Sequence, residues 1–156
     1  MKSRTINIGL VGCGTVGSGL VELLAENLKA IEEKTGFSFK IVKICVKDVS
    51  KKRNAKVDQK LLTTNFLEVV DNRDVDVVVE LAGGTDFAKK VVERALKNKK
   101  YVVTANKALM ASHGAELFTL AEKNKVDIYF EASVAGAIPI VLPMALSLGG
   151  NKITCI

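Results

Sequence analysis

Ile6-Asn7-Ile8-Gly9-Leu10-Val11 followed at once by Gly12-Cys13-Gly14-Thr15-Val16-Gly17 decides the fold. The first six residues read as a short buried strand, the next six as G-x-G-x-x-G, and a long amphipathic run starts at Val16. Strand, glycine pattern and helix in this order are the context in which the pattern means dinucleotide binding; a bare G-x-G-x-x-G is otherwise only a glycine-rich turn. Gly12 lets the chain turn sharply off the strand, Gly14 has no Cβ to hold a pyrophosphate away, and Gly17 lets the helix pack close to the sheet. The helix start then offers unpaired N–H groups and a positive dipole end to phosphates.

Alternation continues down the chain. Val16, Leu20, Leu23, Leu24, Leu28 and Ile31 fall at helical spacing, and that helix is expected to end near Thr35-Gly36. Phe39 to Lys47 reads as a second strand, β-branched and apolar enough to be buried on both faces. Asp48 to Lys60 is a polar loop, Leu61–Thr64 a short strand, and Asn65 a cap for a brief helix through Val70. Val75–Glu80 is the next strand, broken by Gly83-Gly84-Thr85. Phe87, Val91, Val92, Ala95 and Leu96 then form a helical stripe. Tyr101–Thr104 is a strand, Gly114–Lys125 a helix, Asp127–Phe130 a strand, and about Pro139–Leu148 a final helix. Repeated β-α-β units imply a Rossmann-like α/β fold, a doubly wound parallel sheet with helices on both faces.

The 156 residues make one ordinary domain, and 48% hydrophobic content supports a real core. No run approaches the roughly 20 apolar residues of a membrane span. Met1-Lys2-Ser3-Arg4 runs directly into the first strand, leaving no room for a signal peptide, so a cytoplasmic location is expected. Three cysteines, Cys13, Cys45 and Cys155, have no C-x-x-C spacing and argue against a disulfide framework. Cys45 reads as a small core residue. The net charge of +6 would suit nucleic acid, but the lysines are spread out, Trp is absent and aromatics are 5%, so a base-stacking platform is not expected.

In open parallel sheets ligands bind beyond the carboxyl ends of the strands. After the second strand, Lys47 and Asp48 offer opposite readings. An acidic residue there holds the ribose hydroxyls of NAD, and a basic one accepts the 2′-phosphate of NADP. With Lys51, Lys52 and Arg53 nearby the balance tilts toward NADP, NAD being the alternative. Glu80-Leu81-Ala82-Gly83-Gly84-Thr85 places small residues where a nicotinamide ribose must come close; Thr85 and Asp86 would also simply cap the next helix. In Thr104-Ala105-Asn106-Lys107, the lysine follows a buried strand and a candidate N-cap, a setting suited to proton transfer, although a lone lysine there is more often surface. Glu131-Ala132-Ser133-Val134-Ala135-Gly136-Ala137-Ile138-Pro139-Ile140 leads into a helix whose first turn tolerates Pro139. It could present carbonyls to a hard cation, or serve packing alone.

Taken together and in this order, the glycine loop, Glu80–Gly84, Thr104–Lys107 and Glu131–Gly136 resemble the nucleotide-binding part of homoserine dehydrogenase. The resemblance covers nearly the whole chain. It implies an enzyme interconverting homoserine and aspartate 4-semialdehyde with NADP or NAD, on the route to threonine and methionine, with Lys107 catalytic beside the nicotinamide. Candidate cofactor contacts are then Gly12, Gly14, Thr15, Val16, Gly17, Lys47, Ala82, Gly83, Thr104 and Lys107. The resemblance also implies a monovalent cation such as sodium held by Glu131, Val134, Gly136 and Ile138, mostly through backbone oxygen. Ala137 departs from the glycine the family often has there.

Residues 1–150 are expected to form the NAD(P)-binding domain. Lys152-Ile153-Thr154-Cys155-Ile156 reads as the opening of a further strand, so 151–156 are expected to begin a substrate and dimerisation region. The resemblance implies that this region supplies a second lysine and acidic residues, and that the complete enzyme is a homodimer. The chain on its own is expected to hold cofactor without oxidising homoserine at a useful rate. Two other classes fit part of the sequence. A stand-alone NAD(P) sensor module without turnover leaves Lys107 and the Glu131 loop without a role. A different Rossmann reductase, related to aspartate dehydrogenase or dihydrodipicolinate reductase, does not match the order of the four segments.

Overall fold

The computed structural model describes residues 4–53, 55–136, 138–147 and 150. The readings made for the first three residues, for Ala137 and Leu148, and for the strand at 152–156 with Cys155 lie outside them.

Six strands, β1 (Arg4–Val11), β2 (Phe37–Cys45), β3 (Leu62–Thr63), β4 (Val77–Glu80), β5 (Tyr101–Thr104) and β6 (Ile128–Tyr129), form one sheet in the order β3-β2-β1-β4-β5-β6. Every pairing is parallel. Parallel neighbours need crossovers, and these carry α1 (Thr15–Thr35), α2 (Leu67–Val70), α3 (Asp86–Lys97) and α4 (Lys107–Asn124); α5 (Val141–Leu146) follows β6. The strand order reverses between β1 and β4, which fixes a crevice at their carboxyl ends.

Period-two alternation builds two cores. Ile8 and Leu10 of β1 face one side with Val77 and Val79 of β4, where Leu20, Val21 and Leu24 of α1 cover them. Val11 and Val78 face the other side with Val102, against Val91, Val92, Ala95 and Leu96 of α3 and Leu109, Leu117 and Ala121 of α4. At roughly 1.5–3 kcal/mol for each large aliphatic side chain fully buried, these two layers dominate the stability. Cys45 is buried among them, and burial pushes its thiol above the ordinary cysteine value.

Several expectations need correction. The Phe39–Lys47 strand is not buried on both faces: Lys40 and Lys47 are exposed, and within that span only Ile44, Cys45 and Val46 are buried, where the strand runs beside β3. Val16 and Leu23 do not join the apolar stripe of α1 but stand 63% and 51% exposed. The helix expected from Gly114 begins seven residues earlier, because the Asn106 side chain accepts a hydrogen bond from Leu109 N–H and starts the helix at Lys107. Thr85 makes no side-chain cap on α3. The proline in the first turn of α5 is Pro143, with Pro139 preceding the helix.

Candidate functional site

The glycine loop lies at the crevice. Gly12 has φ +98°, and a Cβ there would stand 2.5 Å from the backbone carbonyl of Leu81, so only glycine lets the loops after β1 and β4 touch. Leu81 N–H donates to the Val11 carbonyl and fixes this contact, while Gly12 N–H donates to the Cys45 carbonyl and ties the loop to the end of β2. Gly17 packs α1 onto the loop. Gly14 differs from both, since a Cβ there would meet nothing within 4 Å among the described residues. No side chain caps the amino end of α1, and its first turn carries no acidic residue. Its N–H groups and positive dipole end are therefore available to an anion. Open space over Gly14 beside an uncapped helix start fits the pyrophosphate of a dinucleotide.

A cavity of about 480 Å³ opens here, lined among others by Gly12, Gly14, Lys47, Asp48, Lys51, Arg53, Ala82 and Phe87. A larger cleft of about 830 Å³ lies at the amino ends of the strands, around Arg4, Asp76 and Lys100. Size does not mark the site, because the glycine loop and the start of α1 lie at the opposite end.

Lys47 is exposed at this cavity. The carboxylate of Asp48 turns to its own loop, accepting from the N–H and the hydroxyl of Ser50 at 2.8 and 2.6 Å. Those two bonds hold it below the usual carboxylate range. In the sequence Arg53 reads only as a nearby charge. Its guanidinium donates to the carbonyls of Asp48 and Lys51 and curls the loop, while its buried Nε has no partner among the described residues. Only the folded loop reveals that role. Phe87 also escaped sequence reading as a site residue. It is 40% exposed at the cavity and packs edge-on against Phe66.

At the ends of β4 and β5 the remaining candidates meet. Ala82 lines the cavity, and Gly83 is exposed next to it. Thr104 is fully buried and its hydroxyl points at Glu80, so its side chain supports the site from beneath. Asn106 Nδ2 donates to the Gly84 carbonyl at 2.6 Å, tying the start of α4 to the turn after β4. Lys107 is the first residue of that helix and is exposed.

Beyond β6, Glu131–Ser133 form a 3-10 turn. Ala135 and Gly136 follow with φ +53° and +62°. The Glu131 carboxylate accepts from the N–H groups of Ile140, Val141 and Leu142, and so caps α5. Desolvation pushes this carboxyl up, and the three donors more than offset it, leaving it below the ordinary glutamate value. Val134 N–H donates to the Glu131 carbonyl, and Ile138 is 65% exposed. Among the described residues no group of three or more His, Cys, Asp or Glu side chains could hold a metal ion.

Comparison with known proteins agrees with this geometry. Residues 12–131 match the family model described as the NAD-binding domain of homoserine dehydrogenase. The chain belongs to that family. The match opens on Gly12 and closes on Glu131, the first and last of the motifs above. Homoserine dehydrogenase of Bacillus subtilis is 45% identical over 97% of this chain, and that of Corynebacterium glutamicum 45% identical over 95%. These spans are 35% and 33% of the two relatives, so the chain covers about a third of their length. The crystal structure of the Thiobacillus denitrificans homoserine dehydrogenase superposes with TM-score 0.86 at 39% identity, over 96% of this chain and 35% of that one. The Staphylococcus aureus enzyme at pH 7.5 gives 0.79 at 43% identity, over 85% and 34%. As a member of the family, the chain has the Rossmann-like fold read from its sequence. No helix among the described residues is long and apolar enough to cross a membrane.

Proposed function

We propose that this chain is the cofactor-binding part of an NAD(P)-dependent homoserine dehydrogenase, acting on homoserine and aspartate 4-semialdehyde. The observation that carries the reading is the open face over Gly14 at the uncapped start of α1, directly beside the turn that Asn106 ties to the Lys107 helix. A bound nicotinamide supplies the carbon that accepts or returns hydride. The chain's residues do the rest. The Gly12–Gly17 loop, with Thr15 and Val16 at the helix start, takes the pyrophosphate. Ala82 and Gly83 leave room for the nicotinamide ribose. Lys107 Nζ exchanges the proton of the substrate hydroxyl.

NADP is the preferred form in this reading. Lys47, Lys51 and Arg53 line the cavity, the buried Nε of Arg53 lacks a partner among the described residues, and Asp48 is engaged by Ser50. A monovalent cation belongs to the same reading, held by Val134, Gly136 and Ile138 through backbone oxygen with Glu131. That donor chemistry suits a hard cation, although the Glu131 carboxylate also caps α5. Homodimeric assembly and a place on the route to threonine and methionine are carried over from the family resemblance, and a cytoplasmic location is part of the same proposal.

The activity is tested by substituting this chain for the matching segment of the Bacillus subtilis relative and assaying homoserine-dependent NADPH formation. Turnover supports the proposal. A folded, cofactor-binding chimera inert toward homoserine contradicts it.

A further inference from the structure

Glu80 is a fully buried carboxyl at the carboxyl end of β4, and among the described residues no Lys, Arg or His lies within ion-pair distance of it. Burying such a group is unfavourable unless hydrogen bonds compensate. Here both donors come from the site. Oε1 accepts from Ala82 N–H at 2.8 Å, and Oε2 accepts from the Thr104 hydroxyl at 2.7 Å. Glu80 and Thr104 are register partners across β4 and β5. The chain of contacts continues outward. Thr104 Oγ1 accepts from Asn106 N–H at 3.0 Å, Asn106 Oδ1 caps α4 through Leu109 N–H, and Asn106 Nδ2 returns to the Gly84 carbonyl. One buried carboxyl thus closes a ring through the 82–84 turn and the Lys107 helix start, and none of the ring's hydrogen bonds is made to the glycine loop.

We propose that Glu80 is a positioning residue for the nicotinamide half of the cofactor, holding the Ala82–Gly84 turn and the start of α4 in one fixed relation. This inference rests on the dinucleotide reading above. It requires that loss of the ring harm the nicotinamide end while sparing the adenosine and pyrophosphate end, which depends on Gly12–Gly17 and Lys47. A side chain needed only for folding would harm both ends together.

The test titrates the full chain with NADPH and with 2′-phospho-ADP, which keeps the adenosine and pyrophosphate end and lacks the nicotinamide and its ribose. Wild type should bind NADPH more tightly than the truncated ligand. Glu80→Gln keeps the shape but turns one acceptor into a donor facing the Ala82 N–H or the Thr104 hydroxyl. It should weaken NADPH by about fivefold or more, the effect of a lost buried hydrogen bond, and leave 2′-phospho-ADP within twofold. Thr104→Val, which removes the hydroxyl at the centre of the ring at constant volume, should act in the same direction and serves if Glu80→Gln fails to fold. Equal losses for both ligands, or no loss for either, overturn the positioning role. Equal affinity of wild type for the two ligands does the same. If wild type binds neither ligand, the dinucleotide reading itself fails.

Discussion

A Cβ on Gly17 would stand 2.4 Å from the carbonyl oxygen of Gly12. The first turn of α1 therefore packs against its own preceding loop with no room for a methyl group. Gly17→Ala must shift backbone, because the obstructing atom belongs to the main chain. It should destabilise the fold by about 1–3 kcal/mol, the range for overpacking. The expected fall in Tm is roughly 2–10 °C for a domain of this size, measured by thermal denaturation without cofactor. An unchanged Tm would show slack at this contact.

The sequence carried much of this loop and less of what surrounds it. Strands β4 and β5 are short runs rich in β-branched residues and bounded by polar or glycine breaks, and Tyr101–Thr104 is read to the residue. The start of α4 is harder, because its signal is one asparagine whose cap forms only once Leu109 N–H is in place. The Glu80–Thr104 bond joins residues 24 apart in sequence and depends on strand register, which no local pattern encodes. Arg53 is hidden for a similar reason. Its partners are carbonyls, and their direction is set by the folded loop.

Lys47 is the side chain expected to discriminate between cofactors. Lys47→Ala should weaken NADP more than NAD, by about 1–3 kcal/mol if a charge-assisted hydrogen bond to the 2′-phosphate is lost. Paired calorimetric titrations give the ratio. A preference unchanged from wild type would transfer the role to Lys51 or Arg53.

The cap that Glu131 places on α5 should depend on pH in a defined direction. Its folded-state value lies below that of an ordinary glutamate, which is about 4.3 in the unfolded chain. The stabilisation is then fully present above about pH 4.3 and is lost as pH falls through the lower, folded-state value. The amide resonances of Ile140, Val141 and Leu142 should move together with a midpoint below 4.3. A midpoint at or above that value would contradict the cap.

Lys107 is exposed, and among the described residues it makes no ion pair. In the chimera with the Bacillus subtilis relative, Lys107→Ala should lower kcat by roughly 10²–10⁴, the usual contribution of a positioned acid or base. Tm should stay within a degree or two of the parent, as for most surface substitutions. Full activity of Lys107→Ala would assign the proton to another group.

Gly14→Val separates folding from binding. Among the described residues no atom beyond its chain neighbours lies within 4 Å of a Cβ at this position, so the variant should fold with little change in Tm. Its side chain would fill the space assigned to the pyrophosphate. Calorimetric titration of the 156-residue chain with NADPH should therefore show binding for wild type and none for a folded Gly14→Val. Equal affinity for the two forms would contradict dinucleotide binding through the Gly12–Gly17 loop.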